Sequence, residues 1–426
     1  MKTNYLFKKV FLVAFFAFGV LSIGSMYAAD PAVVVNGIAY NVVNGAAETA
    51  ALPDGTKYTG NLTIPANVTI NGTSYPVKKI GDGSMRDAPA LTGVVIPDGL
   101  EVVGNSSFAG CTGITAIVLP STVKSIEDWA FYSCTNLESI NIPNGVPAIT
   151  EHTFQQSGLK SITLPASVTS LKVCAFQDAS KLASINLENV TEIVAWSLYG
   201  TAITSANISN VPNIGGEAFR KCLNLTSVVL RNVGGTGGWT FEGCPKLATV
   251  DFGTIESIDG GAFSGDAALT TVTIPNSVVF IDGYAFEKTG ITKIYVSWAD
   301  PIGGVVIDAN AFGSDAGKIN FTWYVPQDLL SIYGSDLMGY PVALTDFTGV
   351  KNVQLDNSSV FYSQGNLNLK GYQGYSIYVV SVDGRTVAHF PATELNTVAQ
   401  MSLASGIYMI NATKENNRSV VKFIVK

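Results

Sequence analysis

The sequence holds 426 residues, 47% of them apolar and 13% charged, with a formal net charge of −7. That apolar content excludes an intrinsically disordered chain. The acidic balance excludes the electrostatic footprint of a nucleic-acid binder and of a polybasic membrane binder.

The first element in chain order reads as a secretory leader over 1–28. Lys2, Lys8 and Lys9 form a basic start, and residues 10–23 are an apolar run too short for a comfortable membrane span. Small residues, Gly24, Ser25, Ala28 and Ala29, surround the expected cut. Losing the three lysines would leave a net charge of −10. No later segment reaches 18 continuous apolar residues, so no transmembrane segment is expected in the mature chain. Next, 29–77 is expected to form an N-terminal β cap, with β-patterned runs at 33–43 and 61–70.

From 78 to 345 a repeat of about 22 residues takes over. Its anchor is a small residue followed by a large apolar one, Met85, Phe108, Phe131, Phe154, Phe176, Leu198, Phe219, Phe241, Phe263, Phe286 and Phe312. Successive anchors are 21 to 26 residues apart. This period is that of a leucine-rich-repeat solenoid, in which no unit buries its apolar face without a neighbour. Ten units carry a strand triplet of apolar residues, from Leu91/Val94/Ile96 to Ile291/Ile294/Val296, whose last two members alternate with an outward residue. Five residues before the anchor the chain has Ile, Val or Leu in ten units of eleven; Thr236 is the exception. Thr236 lies among Gly234, Gly235, Gly237 and Gly238, so irregular curvature and the loosest packing are expected over 190–240. Cys111, Cys134, Cys222 and Cys244 each follow an anchor by three residues, and Cys174 lies elsewhere. Stacking would bring Cys111 near Cys134 and Cys222 near Cys244, either as packed thiols or as disulfides. At ~4.8 Å per coil, eleven coils span on the order of 50 Å. Both ends then need capping, and 327–333 is a candidate covering helix.

The repeat Leu269 to Phe286 resembles the BspA-like leucine-rich repeats of bacterial surface proteins. The resemblance runs from Ile80 to Phe312 and extends to the cap residues Gly37–Tyr40 and Tyr324-Val325-Pro326. From about 346 the repeat register is gone. Alternating runs at 376–382, 406–413 and 420–425, with an Asp383-Gly384 hairpin signal, predict a small β-sandwich over 346–426. Asp383-Gly384-Arg385, Gly406-Ile407-Tyr408 and the closing 422–426 are similar to C-terminal sorting domains of the type IX secretion system, although the Pro-Asn-Pro opening usual there is missing. The fold expected is therefore mostly β: a solenoid of about eleven coils with caps at both ends, then a small all-β sandwich.

Two columns of the solenoid are candidate ligand-binding surfaces. The outward strand positions read Val95, Val118, Asn141, Thr163, Asn186, Asn207, Val229, Asp251, Thr273 and Tyr295, which could dock a partner protein or simply form a solvated sheet face. Two residues before the anchor a second column reads Trp129, His152, Cys174, Trp196, Glu217, Trp239, Gly261 and Tyr284. Its aromatics, Trp129, His152, Trp196, Trp239 and Tyr284, could stack on sugars or cover the neighbouring coil. Only His152 and His389 exist, no Cys-x-x-Cys pair occurs, and neither Gly234–Gly238 nor Gly303–Gly304 follows a phosphate-loop pattern, so no enzyme, metal or cofactor is expected. Asp300, Asp308 and Asp315 lack calcium-loop spacing. The resemblance implies an adhesin-like protein, exported to the outer face of the outer membrane or secreted. Its partners would be host matrix or bacterial surface proteins, and the alternative is a glycan-binding module for polysaccharide capture.

Overall fold

The computed structural model describes residues 32–344, apart from 297, 299–303, 315–317 and 327–328, and then 351–352, 359–363, 366–381, 386–394, 396–403, 406–414 and 417–425. The leader at 1–28, Gly303, Asp300, Asp315 and the Asp383-Gly384 turn lie outside them. Among the described residues no helix is long and apolar enough to cross a membrane.

The repeat winds into a β-solenoid of parallel, in-register coils. Each triplet places its leucines and isoleucines inward; nearly all are buried, and Ile96, Ile185 and Val250 are half-buried against the same core. Strands at this position pair coil to coil, for example Ser205–Asn207 with Ser227–Val229 and then with Thr249–Asp251. A second ladder forms at the apolar residue before the anchor, as in Ala148–Ile149, Ser170–Leu171 and Glu192–Ile193. The anchors form the core. Their rings stack nearly parallel at 5.3–5.5 Å from Phe108 to Phe176, and at 5.3–5.9 Å from Phe219 to Phe312. Leu198, the one aliphatic anchor inside the row, divides it into two stacks.

A third ladder, made of turns, was not legible as a strand pattern. The residue two before the anchor is left-handed in ten coils, including Trp129 (φ 61°), His152 (φ 56°), Trp196 (φ 58°) and Trp239 (φ 60°). The residue two after it is left-handed as well, as at Ser133 (φ 54°) and Asp178 (φ 55°). Bulky side chains rarely accept this conformation. Here it aims three N–H groups per coil at the next coil: those of Trp129, Phe131 and Ser133 donate to Glu151 O (2.9 Å), Thr153 O (3.0 Å) and Gln155 O (2.8 Å). The small residue before each anchor is buried between coils, as Ala130 and Ser197 show.

All five cysteines are buried free thiols. The repeat places each of four in one role. Cys111, Cys134, Cys222 and Cys244 donate from Sγ to the anchor carbonyl of the preceding coil, Met85, Phe108, Leu198 and Phe219, at 2.9–3.3 Å. The shared position is therefore a packing and bonding role. Asp266 occupies the same position one coil after Cys244. It is fully buried, its Oδ1 accepts the Cys244 N–H at 2.7 Å, and burial pushes its carboxyl up to about 9.

The Gly-rich middle is irregular in pairing but not in packing. Over these coils the second ladder shrinks to single bridges, Ile193–Ile214, Asn213–Gly235 and Gly235–Ser257. Thr236 and Phe241 are nonetheless fully buried, which corrects the expectation of loose packing. The polar exception is satisfied: Asp259 N–H donates to Thr236 Oγ1 at 2.8 Å, and Gly237 N–H donates to Asp259 Oδ2 at 2.7 Å.

The N-terminal cap adds antiparallel strands Val33–Val35, Ile38–Val43 and Ala46–Ala50 to the second ladder. It reaches the coils through Thr73–Ile80. Strands Gly60–Thr63 and Asn67–Ile70 fall in the other expected run. At the far end a short helix, Leu330–Tyr333, and strand Tyr340–Leu344 cover the stack. Beneath them Phe312, Phe321, Trp323 and Tyr340 pack edge to face and ring on ring. The tail is a two-sheet sandwich with its own core of Leu367, Leu369, Ile377, Val379 and Ile410. Its strands Ser376–Ser381 and Thr386–Pro391 pair antiparallel, as the hairpin signal between them predicts.

Candidate functional site

The outward strand positions form one column whose strands pair in separate short sheets. In-register pairing fixes Asn207 beside Val229 beside Asp251, and Thr273 beside Tyr295. It extends beyond the predicted ten to Thr63 beside Val95 and Tyr324 beside Tyr295. All ten predicted residues are exposed or half-exposed, with Val118 (75%) and Val95 (51%) the most open of the apolar ones.

These positions differ in how free their chemistry is. Asn141 is tied to the preceding coil twice: Leu119 N–H donates to its Oδ1, and its Nδ2 donates to Leu119 O, both at 2.8 Å. Asn186 repeats this on Leu164 at 2.7 and 3.0 Å. Asn207 Oδ1 accepts from Ser209 Oγ at 2.7 Å, and Asp251 pairs with Arg231 at 2.7 Å. The amides in the middle of the face thus serve the coils themselves. The side chains left open for contact are Val95 and Val118 at one end, Thr163, Val229 and Thr273 between, and the stacked Tyr295–Tyr324 pair (5.0 Å) at the other.

The aromatic column is not a uniform platform. Trp129 and His152 lie face to face at 3.8 Å, and His152 Nδ1 is 2.6 Å from Gln155 Oε1. Both residues are half-buried. Trp239 lies with its ring over the backbone of Gly261, where a side chain would collide with it. Even so, Trp196 is 40% exposed, Trp239 41% and Tyr284 37%. Between the two tryptophans, Glu217 is held by Arg220 at 2.7 Å, and Arg220 also pairs with Glu242. Cys174 is buried, and burial raises its thiol to about 11, so it is an inert filler of the column.

No catalytic constellation assembles among the described residues. His152 stacks on Trp129 and His389 on Tyr378, in separate elements. No described group of three or more His, Cys, Asp or Glu could hold a metal ion. Elsewhere charge is spent on coil-to-coil ties. Glu101, hydrogen-bonded and paired to Lys124 and Lys78, has its carboxyl held down to about 2.

The chain's similarities agree with this architecture. The BspA type leucine rich repeat region matches residues 78–204 and 191–315, and a secretion system C-terminal sorting domain matches 363–426. A leucine-rich repeat protein of Bacteroides ovatus shares 21% identity over 73% of this chain and 99% of that one, with a TM-score of 0.50. A leucine rich cell surface protein of Faecalibacterium prausnitzii shares 22% over 72% and 98% (TM-score 0.38). The pneumococcal vaccine antigen PcpA shares 14% over 74% and 98% (TM-score 0.44). No curated protein matches the sequence. A repeat region of this type joined to such a tail is the make-up of an exported cell-surface protein. Matched over more than half its length, the chain belongs to the BspA type leucine-rich-repeat family and ends in a type IX secretion sorting domain.

Proposed function

We propose that this is a non-enzymatic, adhesin-like binding protein, displayed on the outer face of the outer membrane or released from it. Its strand face docks host matrix proteins or surface proteins of other cells. The observation carrying this reading is the column of outward strand positions, in register wherever its strands pair, whose open members are aliphatic, hydroxyl or aromatic and carry no unpaired charge. Such a surface can exclude water against a complementary protein without stranding charge. The test is an array of host matrix and bacterial surface proteins probed with the whole chain and with the 346–426 sandwich alone. Saturable binding by the whole chain and none by the sandwich supports the reading; binding by the sandwich alone overturns it.

A second reading, polysaccharide capture by the aromatic column, is favoured by the exposure of Trp196 (40%) and Trp239 (41%). Alanine at both is then expected to abolish glycan binding while leaving the melting temperature within a few degrees.

A further inference from the structure

The second ladder, already unpaired between Ser125–Ile126 and Ala148–Ile149, shrinks to single bridges from Ile193 to Ser257, and a groove opens along that second stretch. Two clefts adjoin through Asn213 and Ile214. One is lined by Glu192, Val194, Pro212 and Gly215, the other by Gly235, Gly237, Glu256, Ser257, Asp259 and Val279. The outward positions of this ladder shrink from Glu192 through Asn213 to Gly235 before returning to Ser257 and Phe280. The glycine leaves room for the side chains of the next coil. A side chain at Gly235 would collide with Ser257 Oγ and crowd Asp259 Oδ2, which fold over it from the next coil. The floor is therefore polar as well as low.

The lining chemistry is selective. No lysine or arginine lines either cleft. The Asp259 carboxylate is occupied by Gly237 N–H, and Glu192 is paired with Lys172 at 2.6 Å. The Ser257 hydroxyl donates to Asp259 Oδ1 at 3.3 Å and so presents only its lone pairs, beside the exposed Asn213 amide, Glu256, backbone polar groups and the aliphatic surface of Pro212 and Val279. Each exposed tryptophan of the column stands two residues beyond a groove-lining residue, Trp196 after Val194 and Trp239 after Gly237. They are two coils apart, roughly 10 Å. A mixture of amide, hydroxyl and carboxylate acceptors with aliphatic and aromatic surface fits sugar hydroxyls and C–H faces. The unpaired carboxylate of Glu256 disfavours an anionic glycan.

We propose that this groove binds a neutral oligosaccharide lying along the solenoid axis over the coils of Glu192 to Val279. The site deepens the glycan reading of the aromatic column, supplying the hydrogen-bonding half that the column lacks, and it is independent of protein docking on the strand face. The experiment titrates the full chain with maltohexaose, cellohexaose, xylohexaose and mannohexaose, with a hyaluronan hexasaccharide and an oligolysine peptide as charged controls. Binding is read by tryptophan fluorescence and by calorimetry. The expected result is saturable binding of a neutral hexasaccharide, weakened at least tenfold in Asn213→Ala and in Trp239→Ala, with melting temperature and Val118→Lys behaviour unchanged. Binding lost in Trp239→Ala but kept in Asn213→Ala and Ser257→Ala would overturn the groove and leave the column reading standing. Preference for hyaluronan or oligolysine, or no binding of any neutral hexasaccharide, would overturn the proposal outright.

Discussion

The coils from Phe108 to Phe176 and those from Leu198 to Phe241 bury their anchors equally, yet they are held differently. In the first group, rings stack unbroken at 5.3–5.5 Å. In the second, Leu198 interrupts the stack, and the second ladder is reduced to single bridges around Asn213 and Gly235. Burial and the turn-built ladder are common to both, since Leu198 N–H still donates to Ala218 O at 2.9 Å and Phe219 N–H to Thr240 O at 2.9 Å. The difference teaches that strand pairing is the dispensable part of this coil. Around Asn213 and Gly235, where it lapses, the fold persists and the surface carries a groove.

The largest expected effect sharpens that contrast at the core. Phe154→Ala removes a ring stacked on both sides and should cost about 4 kcal/mol, against about 3 kcal/mol for Leu198→Ala. Chemical denaturation of both variants checks this; a larger loss at Leu198 would break the comparison. The acid beside the second group comes next. Asp266 has a folded-state value of about 9 against an ordinary 3.8, so folding favours its neutral form. Its contribution is complete below about pH 4 and is lost as pH rises towards 9, with a limiting slope of about 1.4 kcal/mol per pH unit. Asp266→Asn should flatten the stability profile between pH 5 and 8, and a profile identical to that of the unsubstituted chain would contradict the assignment.

Smaller effects separate the columns. Gly261→Ala places a methyl under the Trp239 ring at a left-handed position (φ 66°), and should cost about 2 kcal/mol and shift tryptophan fluorescence. Unchanged fluorescence would mean that the ring does not rest there. Asn186→Ala removes two coil-to-coil hydrogen bonds and should cost about 1 kcal/mol without weakening any ligand. Ligand loss at unchanged stability would return Asn186 to the binding face.

Much of this fold was legible because a solenoid repeats its signals. The anchors, triplets and shared cysteine position each recur often enough to be read without structure. What escaped notice is conformational. Nothing in the letters Trp129, His152, Trp196 or Glu217 says left-handed, because the coil-to-coil bonds impose that conformation against their own preference. Strands Ala46–Ala50 and Thr73–Ile80 lie outside the β-patterned runs at 33–43 and 61–70, although Asn44-Gly45 and Asn71-Gly72, both residues at positive φ in each pair, are the hairpin turns that announce them. The candidate faces were legible as columns, but their division was not. Whether an outward Asn is free or bonded to the coil before it depends on side-chain geometry, which spacing does not carry.

The most direct test of the strand-face account compares two variants of the full chain on one array of matrix and cell-surface proteins. Val118→Lys places a charge on the most exposed apolar position of the ladder, whereas Trp196→Ala trims the column. The account predicts that Val118→Lys loses saturable protein binding at an unchanged melting temperature and that Trp196→Ala retains it. Retention by Val118→Lys with loss in Trp196→Ala would contradict it.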